Sequence, residues 1–119
     1  MAYMLLILEP RGQRRDRSPA DGAAVYQRML DYNADLKARG VLMASDSLKS
    51  SAVRFHKHDG TSRVLDGPFT EAKELIGGFF LLDCDTREQA LAFANACPAA
   101  EWATIEVRET GPCYELGAS

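Results

Sequence analysis

Residues 75–83 read LIGGFFLLD, and their side chains are apolar at both parities, with Ile76, Phe80 and Leu82 set against Phe79 and Leu81. A strand with one wetted face alternates polar and apolar residues, so this segment needs cover on both sides and belongs at the centre of a sheet. Gly77 and Gly78 sit inside it; their missing side chains permit either close backbone packing or the floor of a cavity. Residues 2–9, AYMLLILE, repeat the pattern, with Tyr3, Leu5 and Ile7 on one face and Met4, Leu6 and Leu8 on the other.

Downstream of the central strand, Asp85 with Glu88 and Thr86 with Gln89 both fit a capping box, which starts a helix that Pro98 stops. Residues 102–109, WATIEVRE, alternate and form a half-buried final strand, followed by a surface tail over residues 110–119. Upstream, residues 66–74 read DGPFTEAKE: Gly67-Pro68 ends a strand and Thr70 caps a short helical turn. Residues 51–58 and 61–66 flank Asp59-Gly60, a tight-hairpin signal. That turn pairs His58 with Thr61, His56 with Arg63 and Arg54 with Leu65. The polar face then carries Arg54, His56, His58 and Arg63, and the opposite face Val53, Phe55 and Val64.

Residues 41–48 are also extended. Before them, Ser18-Pro19-Ala20-Asp21 supplies an N-cap, a first-turn proline and an acid for the macrodipole, so a helix runs from there to about Arg39, where Gly40 ends it. Tyr26, Met29, Leu30 and Leu36 form its core stripe, with Val25 and Tyr32 at the margin. Asn33 falls within the stripe as either a hydrogen-bonded packing residue or a ligand contact. Residues 10–18, PRGQRRDRS, are a polar loop in which Arg11, Arg14, Arg15 and Arg17 could hold an anion, although a solvated loop is the commoner use of such a run.

The order of elements predicts an α+β fold, a split βαβ arrangement with two main helices on one face of an antiparallel sheet. The helices cover only one face. An identical sheet from another subunit is the economical cover for the second, so a homodimer is expected. A chain of 119 residues that is 46% apolar and 26% charged forms a single domain, over residues 1–109. Its net charge of −3 argues against nucleic acid or anionic lipid as partners. No apolar run reaches the roughly 20 residues of a membrane span, and the N-terminus lacks a basic segment and a cleavage site. A cytoplasmic location is therefore expected.

Cys84, Cys97 and Cys113 are odd in number and lack C-x-x-C spacing, which fits reduced thiols; Cys97 is a candidate nucleophile or, more commonly, an inert buried thiol. His56 and His58 share a strand face without a third ligand at an obvious spacing, so no metal site is assigned. The glycine-containing segments match neither a phosphate loop nor a dinucleotide fingerprint, and no cofactor is assigned.

DGPFTEAKE followed by LIGGFFLLD, together with MAYMLLI at residues 1–7, ARGVL at 38–42, CPAA at 97–100 and IEVRE at 105–109, resembles the YCII-related family of DGPF-domain proteins over residues 1–109. The resemblance implies a ferredoxin-like domain of the dimeric α+β barrel type. Some relatives carry a catalytic pair, a His on the first helix and an Asp at the end of the later one. Here the first long helix has no His, Arg28 stands near that place, and Cys97-Pro98 occupies the neighbourhood of the family's Asp-Pro, so the pair does not carry over. Gene-neighbourhood links of some members to extracytoplasmic-function sigma factors imply a regulatory alternative.

The residues that remain point to a pocket between the first long helix, the sheet and the DGPF loop. Asp66 and Glu71 are its candidate acid and base, and Tyr26, Met29, Asn33, Phe69 and Lys73 its candidate ligand contacts. The loop has an equally available structural use, with Gly67-Pro68 fixing a turn and Phe69 plugging a core. The functional expectation is a dimeric small-molecule-binding protein or cofactor-independent enzyme, of proton-transfer or lyase type. The alternative is a non-catalytic regulatory module with a protein partner.

Overall fold

The two doubly apolar segments lie side by side. β1 (Tyr3–Pro10) pairs antiparallel with β5 (Glu74–Leu82), Leu5 opposite Phe80 and Ile7 opposite Gly78. β6 (Thr104–Glu109) flanks β1, and β2 (Leu42–Ser47) flanks β5, giving the antiparallel order β2-β5-β1-β6. The structure, a computed structural model, describes residues 2–115. α2 (Pro19–Ala38) connects β1 to β2 and α3 (Arg87–Ala96) connects β5 to β6, each crossover skipping one strand, which is the ferredoxin-like split βαβ plan. Among the described residues no helix is long and apolar enough to cross a membrane.

Local chemistry sets the helix ends as expected. Ser18 Oγ accepts the Asp21 N–H at 3.1 Å with Pro19 in the first turn, and Gly40 at φ +74° follows the last turn of α2. Of the two candidate boxes, α3 uses Thr86 and Gln89, whose reciprocal bonds measure 3.2 and 3.1 Å. Two short elements depart from the sequence reading. The arginine-rich loop contains α1 (Gln13–Asp16), and Pro98–Glu101 forms a 3₁₀ turn, so the last strand begins at Thr104 rather than Trp102. Residues 69–72 make one hydrogen-bonded turn, Ala72 N–H to the Phe69 carbonyl at 3.0 Å, and no helix.

One face of the sheet is dry. Tyr3, Leu5, Ile7, Phe80 and Leu82 bury against Tyr32 and Leu36 of α2 and Ala90 and Ala94 of α3. Tyr32, expected at the margin, is central: its hydroxyl donates to the Phe93 carbonyl at 2.6 Å and its ring meets Phe80 edge-on at 5.1 Å. Tyr26 and Leu30, expected in the core, are 53% and 41% exposed. The strand positions opposite that half of α2 are Ser45, Ser47, Gly77 and Gly78, too small to fill the space, and the space stays open. On the other face Met4, Leu6, Leu8, Phe79 and Leu81 are only half-buried.

β3 (Val53–His58) and β4 (Thr61–Asp66) form a separate hairpin in the register that Asp59-Gly60 predicts, His58 opposite Thr61 and His56 opposite Arg63. Asp59 at φ +49° and Gly60 at φ +77° supply the left-handed pair that a two-residue turn requires. Its apolar face, however, is uncovered within the chain, with Val53 and Phe55 61% and Val64 60% exposed. The hairpin is an arm. It raises the radius of gyration to 16.5 Å, against roughly 13.5 Å for a compact chain of this length.

Candidate functional site

Beneath the N-terminal half of α2 lies a cavity of about 690 Å³. Val25, Met29 and Leu30 of the helix form one wall, and Ile7, Phe80 and Gly78 of the sheet the other. The sheet side is shaped by a bulge: Ile7 pairs with Gly78 and Leu8 with Ile76, which leaves Gly77 without a partner. A Cβ on Gly77 would stand 2.6 Å from Glu9 Oε2 and 2.9 Å from Arg14 Nη2, so glycine is what lets these groups approach the backbone.

Glu9 shares its parity with Tyr3, Leu5 and Ile7 and therefore points to the helix side, where it is 5% exposed. Arg14, carried back by α1, meets it at 2.7 Å. Arg14 also donates to the Leu48 carbonyl at 2.6 Å and to the Gly77 carbonyl at 3.1 Å. A buried carboxylate is tolerable when paired and hydrogen-bonded in this way. Both residues border the cavity. The sequence reading passed over this pair, although an acid at an inward parity just ahead of an arginine-rich run was the available signal.

Of the candidate ligand contacts, Tyr26, Met29 and Asn33 border the cavity, and Asn33 Oδ1 accepts the Ser45 hydroxyl. Asp66, Phe69, Glu71 and Lys73 do not border it; they lie at the base of the arm. The expected closure of the pocket by the DGPF loop is thus not made within the chain, because the loop is held elsewhere. Arg11 donates to the carbonyls of Phe69 and, at 2.8 Å, Ala72, and its backbone N–H to Lys73 at 2.9 Å. The Phe69 ring lies 3.9 Å from the Arg54 guanidinium. Glu71 pairs with Arg54 at 3.0 Å; its own backbone N–H and then Arg54 hold its carboxyl below the ordinary range. Asp66 pairs across the hairpin with Val53 and is exposed.

At the cavity rim, Arg17 lies 5.6 Å from the Trp102 ring centroid, and Arg28, outside the cavity lining, lies 5.3 Å from the same ring. Arg28 also forms a two-pronged ion pair with Glu101, which lowers the Glu101 carboxyl from its ordinary value. Cys97 is 2% exposed, and burial pushes its thiol up, which keeps it protonated and unreactive near neutrality. Cys84 behaves likewise, while Cys113 is exposed. The rings of His56 and His58 stack at 6.3 Å, and among the described residues no three His, Cys, Asp or Glu side chains gather into a metal site.

Comparison with known proteins fits this geometry into a family. An uncharacterised protein of Rhizobium meliloti (strain 1021) is 40% identical over 63 residues, which is 50% of this chain and 49% of that protein, so the match spans about half the length of the relative. Among solved structures, 5-chloro-2-hydroxyhydroquinone dehydrochlorinase from Burkholderia phenoliruptrix AC1100, in complex with 2,5-dihydroxybenzoquinone, superposes with a TM-score of 0.58. It covers 93% of this chain and 94% of its own at 14% identity, which shows a common fold, that of the dimeric α+β barrel type. The YCII-related domain matches residues 1–112, and the chain, with its split βαβ sheet and its DGPF segment, belongs to that family.

Proposed function

We propose that the protein is a small-molecule-binding protein of enzyme-like character, acting as a homodimer, with its ligand in the cavity between α2 and the sheet. The observation that carries this reading is the Glu9–Arg14 pair. A carboxylate taken out of water adds little net stability even when it is paired, so a buried Glu9 joined at 2.7 Å to the solvent-reaching Arg14 beside an open, largely apolar cavity fits ligand chemistry better than fold maintenance. The volume of about 690 Å³ lies within the roughly 300–1,000 Å³ usual for small-molecule sites. A protein of the same fold in complex with 2,5-dihydroxybenzoquinone supports a small planar ligand.

In this reading Tyr26, Met29 and Asn33 contact the ligand and the Glu9 carboxylate is the group placed for proton transfer. Asp66 and Glu71, with Phe69 and Lys73, serve it only if a second subunit brings its loop to the mouth. The exposed arm favours one further reading, a protein-interaction module; here a second copy is the protein it meets.

Native mass spectrometry of protein purified without added ligand tests the proposal. A dimer that retains a small molecule is expected, and Glu9→Gln should reduce retention about tenfold through loss of one charge-assisted contact. A ligand-free monomer that also shows no thermal shift with any member of a metabolite library would sink it.

A further inference from the structure

The four arginines of residues 11–17 divide into separate roles, and one of them is left over. Arg11 holds the carbonyls of Phe69 and Ala72; Arg14 holds Glu9; Arg15 faces Asp16 at 3.9 Å in solvent. Arg17 borders the cavity with neither a carboxylate nor a carbonyl bonded to its side chain among the described residues. Its guanidinium is placed over the Trp102 ring, and that ring's other cation, Arg28, is already committed to Glu101. A guanidinium resting on an indole face keeps the edge of its planar fork free to donate to an oxyanion.

The charges around the cavity point the same way. Arg14, Arg17 and Lys49 border it alongside two acids, Glu9 and Asp46; Glu9 is paired with Arg14, and Asp46 accepts the Ser47 N–H at 3.0 Å. Lys49 has no ion-pair partner among the described residues. One positive charge is therefore uncompensated at the rim of a space walled by Met29, Leu30 and Phe80. We infer that the cavity selects a small aromatic monoanion, its ring between Met29, Leu30 and Phe80 and its charged oxygen on Arg17. This specifies the ligand class within the function proposed above and rests on that reading.

Salicylate and salicylamide share a ring and a hydroxyl and differ in the charge of one substituent, so calorimetric titration of both into the full chain is the test. Salicylate should bind at least roughly tenfold more tightly. In Arg17→Gln the preference should fall to near parity while salicylamide affinity holds, with circular dichroism confirming the fold. Lys49→Gln should reduce the preference by a smaller factor. Equal affinities in the unmodified protein, or a preference that survives both substitutions, would overturn the inference and leave the cavity reading in place. Failure of both probes to bind would overturn the inference too; the small molecule retained, or not, in native mass spectrometry then decides the cavity reading separately.

Discussion

Gly77 and Gly22 border the same cavity and should respond oppositely to a methyl group. An alanine Cβ at Gly77 would lie 2.6 Å from Glu9 Oε2, and that carboxylate is buried and fastened to Arg14, so it has little freedom to yield. Gly77→Ala should cost about 1–3 kcal/mol in denaturant unfolding. Gly22 lies inside α2 with nothing within 4 Å of the added carbon; Gly22→Ala should stabilise by about 0.5–1 kcal/mol. The sequence shows that Gly77 and Gly78 answer to either packing or a cavity, and the structure uses both, with Gly78 close against the Asp46 carbonyl. Glu9 was within reach of the same reading, since parity alone turns it inward. Its partner was not, because the four-residue α1 that returns Arg14 is too short to leave a periodic signal.

Among the elements, helix ends were legible and helix faces were not. Caps are contracts between residues a few positions apart, as in Ser18 with Asp21 or Thr86 with Gln89, and local sequence is sufficient to show them. Thr86→Ala should lower stability by about 1 kcal/mol, read as a reduced midpoint in urea, because the Gln89 N–H in the first turn loses its acceptor, the Thr86 hydroxyl. A face depends on what stands across from it. Tyr26 and Tyr32 look alike along α2, yet Tyr32 meets Phe80 and is buried while Tyr26 meets an opening floored by glycine and serine. The hairpin register, set by a two-residue turn, was legible in full; the openness of its apolar side was not, since nothing within the arm records which surface it is to meet.

At the scale of the molecule, the doubly apolar strands announce a second face that the two main helices leave half-buried. If a second copy covers it, light scattering should give twice the chain mass, and Leu6→Asp, which puts a charge in the middle of that face, should give a monomer. Phe55→Asp on the arm is the sharper probe. In an isolated chain this 61% exposed position should move stability by no more than about 0.5 kcal/mol, whereas weaker assembly would show that the arm takes part. The attachment of the arm adds a further point. The Leu48 N–H donates to the Gly77 carbonyl at 2.8 Å and Arg14 bonds the carbonyls of both residues, which ties the departing chain to β5, while Arg11 separately holds the returning chain at Phe69, Ala72 and Lys73. Leu48, Lys49 and Gly77 border the cavity, while the hairpin strands β3 and β4 do not. The hairpin is in effect a graft: the length and lettering of its two strands can drift without displacing the chamber.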